Sequence, residues 1–442
     1  MGGPGGRHCS QRRRAMQMSD VTADAVTGSR TRGVAVDGRQ IPPPGRTRGS
    51  ARQSAMLSSS RAGEVNRARV LKTLYANGPL ARPELARLTG STRATIGQIV
   101  QPFLDEGLLE EQAPLASGSR GGKRARTVWF SSAGWPVGAV LMLPEGAQAA
   151  VVTAGGEVTA RAAIRVRPTR KNHDLIADRL TSLLREITAN AASPLRGIGI
   201  AVAGMVDTQT GEIVRSDHAP GFNGLAVGPL IAESLGVPAF VEMQPRAQAL
   251  GDMLFGAGRG ESSYCSLYVG EGIGAGFIFD GALHRGARGA GGEVGHTIID
   301  RDGPLCECGL TGCWEALAAT RWLRDEAALR GLPQPKTMGA ARLSALAPEN
   351  PAAAALLEDY ASNIAVGIAN LQQILGIGLF IVHGEPVGGG DALRSSIEDH
   401  VRRQAFAHPG GEPRVVFADP DDYATLRGAA SIVLSRSLDI AF

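Results

Sequence analysis

Apolar and polar positions in the first part of the chain alternate with helical spacing. From Glu64 on, Val65, Ala68, Val70, Leu71 and Leu74 share one face, and Asn77-Gly78-Pro79 ends that helix. Residues 82–88 predict a second, short helix with Leu85 and Leu88 inward. Thr89-Gly90-Ser91-Thr92 reads as a turn with an N-cap candidate. Residues 92–106 predict a third helix, with Ile96, Ile99, Val100, Phe103 and Leu104 on its apolar face. A strand begins in Gly107-Leu108-Leu109-Glu110, a Gly/Ser/Arg loop occupies 117–126, and Thr127-Val128-Trp129-Phe130 is the return strand. Three helices, a short turn before the third and a hairpin with a basic tip are the order of a winged helix-turn-helix over 56–131.

Beyond Trp135 the period itself alternates. Strands are predicted at 136–143, 149–153, 158–166, 197–202, 239–241, 264–269, 276–279, 380–382 and 415–417. Helices are predicted at 175–188, 228–235, 246–255, 318–330, 352–375, 392–406 and 423–437. This is an α/β pattern over 132–442. Residues 1–55 hold Gly, Pro, Ser, Thr and Arg with almost no large apolar side chain. They cannot bury enough surface to offset ordering, and are expected to be a disordered basic tail.

The 442 residues suffice for two to four domains, and no apolar run approaches a membrane span. A cytoplasmic, bacterial protein, on the nucleoid when bound to DNA, is expected. Glycine, 59 of 442 residues, is nearly twice its usual share of about 7%, which points to many turns and close backbone approaches. The net charge of +4 hides an asymmetry: +7 over 1–55, +5 over 56–130 and −8 over the rest. A basic front on an acidic body suits a polyanion partner, although a solvated tail and face would look alike.

The third helix carries Thr92, Arg93, Thr95 and Gln98 at its N-terminal end, where a recognition helix meets base edges. Arg pairs with guanine and Gln with adenine by bidentate hydrogen bonds. Arg120, Lys123, Arg124 and Arg126 put four cations on the wing, suited to phosphates or a minor groove. These residues predict a double-stranded DNA operator as partner, read by a homodimer or homotetramer. A helical bundle used for protein contacts is the alternative.

His296, Cys306, Cys308 and Cys313 give H-x9-C-x-C-x4-C. Three thiolates and an imidazole make a closed tetrahedral set that suits structural zinc and leaves no open position for hydrolysis. Inert or redox-active cysteines are the alternative. Zinc would order the loop 289–315. The remaining histidines, His173, His218, His284, His383, His400 and His408, show no ligand spacing and read as surface or loop residues.

Gly292-Glu293-Val294-Gly295-His296 followed by Cys306-Glu307-Cys308-Gly309-Leu310-Thr311-Gly312-Cys313-Trp314-Glu315 resembles the two signatures of the ROK family of repressors, open reading frames and sugar kinases. The resemblance covers about 60–440. It implies an actin-like, sugar-kinase-like (ribonuclease H-like) two-lobed body, behind a winged helix in the repressor branch. It implies further that Glu293, His296 and Glu315 hold sugar hydroxyls and that His296 is also a zinc ligand.

The chain departs from the kinases of that family at three places. Their D-x-G-G-T phosphate loop is matched by Val137-Gly138-Ala139-Val140-Leu141-Met142-Leu143-Pro144, with Val140 at the aspartate and Met142 at a glycine. Their V-E-N-D-x-N is matched by Val241-Glu242-Met243-Gln244-Pro245-Arg246, so Gln244 stands at the catalytic base. Glu271, in Gly270-Glu271-Gly272-Ile273-Gly274, stands at a phosphate-binding threonine. No catalytic residue is therefore expected, and Gln244 is retained only as a ligand hydrogen-bonder. The expectation is a sugar-responsive DNA-binding regulator, against a sugar kinase with an appended DNA-binding domain or a regulator controlled by a protein partner.

Overall fold

The computed structural model describes residues 59–112, 126–169, 171–189, 191, 193–406, 411–420, 423–438 and 440. The N-terminal tail and the wing residues Arg120, Lys123 and Arg124 lie outside them. The chain opens with α1 (Ser59–Asn77), β1 (Leu80–Ala81), α2 (Arg82–Thr89), α3 (Arg93–Asp105), β2 (Leu109–Gln112) and β3 (Thr127–Phe130). Gly90 closes α2 in the left-handed conformation, and the Thr92 hydroxyl caps α3 by accepting from the Thr95 amide at 3.1 Å. The strands form an antiparallel sheet in the order β1-β3-β2. Leu71, Leu74, Leu85, Ile96, Val100 and Val128 are fully buried where helices and sheet meet. Each helix predicted here thus forms, α2 and α3 within one residue of their expected ends, while α1 starts at Ser59, five residues before Glu64.

The first lobe runs β4 (Val137–Leu143), β5 (Gly146–Val152), β6 (Val158–Arg165), α4 (His173–Thr188), β7 (Ile198–Val202), β8 (Met205–Asp207), β9 (Glu212–Arg215), α5 (Val227–Leu235), β10 (Ala239–Met243) and α6 (Gln244–Phe255). Its sheet order is β10-β7-β4-β5-β6. The second runs β11 (Tyr264–Val269), β12 (Ile273–Phe279), β13 (Ala282–His284), α7 (Trp314–Ala318), α8 (Thr320–Leu329), α9 (Ala340–Leu346), α10 (Pro351–Leu375), β14 (Leu379–Gly384), α11 (Gly390–Gln404) and β15 (Arg414–Phe417), after which α12 (Ala424–Ser437) returns to pack on β4, β7 and α6 of the first lobe. The second lobe's sheet order is β13-β12-β11-β14-β15. Both sheets repeat one plan, an antiparallel meander of three strands extended by two parallel ones. This is the expected sugar-kinase-like α/β body.

Helix α6 is almost wholly buried and crosses α12 at backbone contact. A Cβ on Gly251 would lie 1.9 Å from the Ala424 carbonyl oxygen, and one on Gly428 1.6 Å from that of Ala247. At its far end α6 meets the three-helix head. Phe255 packs edge-on against Tyr75 at 5.6 Å, and Tyr75 stacks on Phe130 at 4.1 Å. The Tyr75 hydroxyl donates to the Ala154 carbonyl at 2.8 Å, and Arg259 Nε donates to the Tyr75 carbonyl at 3.0 Å. One apolar cluster therefore runs from the head into the body.

Three expectations need correction. The helix predicted over 318–330 is α8 and starts two residues later, because Ala319 turns extended (ψ 165°) between it and the unpredicted α7. The hairpin β8–β9, strand β13 and helix α9 were not predicted, being too short or too mixed for a period to register. His383 is no surface residue. It is buried on β14 with Nε2 2.9 Å from Asp252 Oδ2 on α6. The sequence hid this because the partner is 131 positions away.

Candidate metal centre and ligand cleft

The loop between β13 and α7 is folded by its own backbone. Ile299 N donates to Gly312 O and Trp314 N to Thr297 O, both at 2.9 Å, and Cys306 N donates to Leu310 O at 2.8 Å. Gly292 is required here twice over: its φ is +108°, and a Cβ would lie 2.4 Å from the Ala275 carbonyl oxygen. This tight entry carries Glu293 and His296 against β12.

The four predicted metal ligands come together. The donor atoms of His296, Cys306, Cys308 and Cys313 all lie within 4.8 Å of one another. Cys306 Sγ is 3.8 Å from His296 Nδ1, and Cys308 Sγ 3.7 Å from Cys313 Sγ. A tetrahedron with metal–sulfur bonds of about 2.3 Å has edges near 3.8 Å, so the spacing fits an ion and is far too long for a disulfide. Without a cation, burial and the neighbouring thiols push the Cys313 thiol up to about 12, and burial raises that of Cys306. A bound cation would be needed to hold them as thiolates. Nε2 of His296 faces Asp217 Oδ2 at 3.9 Å, placing a carboxylate behind the ligand ring.

Glu315, on the first turn of α7, is buried, and its Oε2 accepts from the Ile273 amide at 2.9 Å. Burial raises the Glu293 carboxyl above the usual range, opposed by His296 and Arg246 and reinforced by Glu315 and Asp217. Glu293, His296 and Glu315 thus share one electrostatic neighbourhood, as the resemblance implies. Gln244, at the start of α6, is buried and hydrogen-bonded through its side chain to Tyr268.

Several contributors had no signal in the sequence. Asp217 and His218 leave β9 and reach the loop from the first lobe. His218 Nδ1 is 3.3 Å from Glu307 Oε2 and its Nε2 3.7 Å from Glu315 Oε1. His218 does lie in a loop, as read, but its partners were missed, because the unpredicted β8–β9 hairpin delivers it beside Glu307 and Glu315. Glu242 and Arg246 are buried and paired at 2.8 Å. Arg246 donates to the Gly289 carbonyl at 2.6 Å, and Arg285 joins Glu242 at 2.9 Å. The triad ties the segment 285–291 to α6.

The kinase positions are filled by other contacts. Val140 and Met142 are buried in the cluster that α4 covers, and Glu271 is paired to Arg324 at 2.8 Å. On the head, Thr92, Arg93 and Gln98 are exposed and Thr95 is half-buried, at one end of α3. Arg126 is held at 3.3 Å by Glu111, which also pairs with Arg82 at 2.9 Å.

The xylose repressor of Bacillus spizizenii is 26% identical over 384 residues, 85% of this chain and 97% of that protein. The glucokinase of Thermotoga maritima is 28% identical over 270 residues, 58% of this chain and 84% of its own. A crystal structure of a ROK family transcriptional regulator, homologous to the E. coli MLC protein, superposes with a TM-score of 0.70. It is 26% identical and covers 85% of this chain and 96% of its own. The ROK family pattern matches residues 145–436, and with both signatures folded around one loop, the chain belongs to the ROK family.

Proposed function

We propose that this protein is a sugar-responsive, DNA-binding transcriptional repressor whose kinase-like body no longer transfers phosphate. The observation that carries this reading is a combination in one chain. A Thr92-capped helix exposes Arg93 and Gln98, and the body behind it holds Val140, Gln244 and Glu271 where a kinase of the family needs an aspartate, a base and a phosphate-binding threonine. Loss of a general base alone typically costs ~10²–10⁴ in rate. The similarity to a xylose repressor over 85% of the chain supports the same reading; the glucokinase aligns over 58%. No helix among the described residues is long and apolar enough to cross a membrane.

In this reading α3 enters the major groove, Arg126 and the wing follow the phosphates, and residues 56–131 act as the DNA-binding head of a 132–442 body. A homodimer or homotetramer reads a near-palindromic operator, because protein symmetry is mirrored in the site. Glu293, His296, Glu315 and Gln244 surround the sugar. Arg93→Ala is expected to cost about 1–3 kcal/mol of operator affinity and to relax preference at one base pair per half-site. Gel retardation with DNA upstream of the protein's own coding sequence checks this. Wild-type protein that retards no such fragment at low salt would overturn the reading.

The metal of this reading is one structural zinc per chain on His296, Cys306, Cys308 and Cys313. Zinc would hold the loop that presents Glu293 and Glu315. Cys308→Ser is expected to lower zinc content by at least tenfold after dialysis, measured by elemental analysis. Unchanged content would remove Cys308 from the ligand set.

A further inference from the structure

The register of the head's sheet sets two arginines face to face. Leu80 pairs with Val128 and Ala81 with Thr127, so the next step along both strands brings Arg82, the first residue of α2, opposite Arg126 at the root of the wing. Like charges at opposed positions repel. One carboxylate reconciles them. Glu111, on β2 opposite Val128, is 2.9 Å from Arg82 Nη1 and 3.3 Å from Arg126 Nη1. The neighbouring carboxylates are engaged elsewhere: Glu110 accepts from the Ser132 amide at 3.4 Å, and Glu84 faces Arg87 at 3.9 Å. In sequence, residues 113–125 add Arg120, Lys123 and Arg124 and no acid.

This corner has more donors than acceptors. Each guanidinium carries a fork of N–H groups, and a single carboxylate cannot satisfy both forks. Thr127 Oγ1 and Arg82 Nε are buried here without a hydrogen-bond partner among the described residues. Both arginines keep a face to solvent, their side chains 36% and 68% exposed. Two guanidiniums against one carboxylate leave a positive charge over. An anion with paired acceptor oxygens and a single charge, which is a phosphate diester, matches both the surplus charge and the unused forks.

We propose that Arg82 and Arg126 form a clamp for one DNA phosphate at the wing root, and that Glu111 is its built-in competitor. Glu111 holds the two guanidiniums together in the free protein and opposes the phosphate that replaces it. This rests on the DNA-binding reading above and names a backbone contact outside α3. Such a contact carries no base information, so it adds affinity to every sequence alike.

The test is gel retardation by full-length protein across a salt series, on its own upstream DNA and on an unrelated fragment of equal length. Arg82→Ala is expected to weaken binding to both fragments alike, by about five- to tenfold at about 0.1 M salt, and to flatten the slope of log affinity against log salt by about one, the share of one phosphate. Arg82→Lys keeps the charge and therefore the slope, and loses only the fork. Glu111→Gln is expected to raise affinity for both fragments by about threefold or more and to steepen the slope, a gain that a misfolded head could not give. In the Arg82→Ala/Arg126→Ala background that gain should shrink. With a wild-type protein that retards its operator, three results would each overturn the clamp and leave the regulator reading standing: Arg82→Ala with wild-type affinity and slope, Glu111→Gln that binds no better than wild type, or a Glu111→Gln gain undiminished without the two arginines. Wild-type protein that retards neither fragment would overturn both.

Discussion

Trp314→Ala is expected to destabilise the body by about 3–5 kcal/mol, the range for emptying a buried tryptophan site. Trp314 has no solvent exposure. Its indole nitrogen donates to the Asn363 carbonyl at 2.8 Å, and the Asn363 side chain returns a hydrogen bond to Leu317 O at 2.7 Å. On α10, Gly367 leaves the ring its place: a Cβ there would sit 2.1 Å from the indole. The residue lies between Cys313 of the His/Cys cluster and the buried Glu315, so the cavity would open beneath both. The expected result in urea unfolding followed by circular dichroism is a lower midpoint, with zinc lost earlier in the titration than in wild type. Trp314→Phe should recover part of the loss. A change below about 1 kcal/mol would show that the loop is anchored elsewhere.

Gly428→Ala is expected to cost about 3 kcal/mol, at the upper end for overpacking, because the added methyl meets backbone and not a yielding side chain. The Ala247 carbonyl oxygen is 1.6 Å from where that methyl would be, and α6 cannot retreat, since Gly251 stands as close to Ala424. The same substitution at Gly97 on α3 meets nothing within 4 Å. Gly97→Ala should therefore stabilise its helix by about 0.5–1 kcal/mol. Melting curves of the two variants should move in opposite directions. A Gly428→Ala protein with an unshifted melting temperature would mean that the two helices part more easily than their contact distances imply.

The long periodic segments were legible in the sequence because one buried face imposes its period over several turns. Helices α1, α3, α4 and α10 are of this kind, whereas α12 and strand β11, buried on nearly every side, were legible as apolar runs. The convergence of His296 and the three cysteines was legible because all four lie within 18 consecutive residues, at a spacing that suits one ion. Asp217, His218 and Arg246 were not, since their partners come from the far lobe or from backbone carbonyls about 40 residues on. The same holds for Asp252 and His383. Polar pairings across lobes leave no period and no local spacing; only the topology creates them. Ala319 shows the converse failure, a good helix former that tertiary packing turns into a break between α7 and α8.

The wall shared by Tyr75, Phe130 and Phe255 has a mechanical consequence. A head tethered by a slack linker would swivel, and its reach would be set by the linker's length. Here the tether is replaced by a stacked aromatic joint, clamped from behind by the Ala154 carbonyl and by Arg259. Helix α3, which meets DNA in the proposed function, is therefore aimed as a chisel is aimed by its handle. In any assembly of two such chains, the span between the working edges is set by how the handles are gripped.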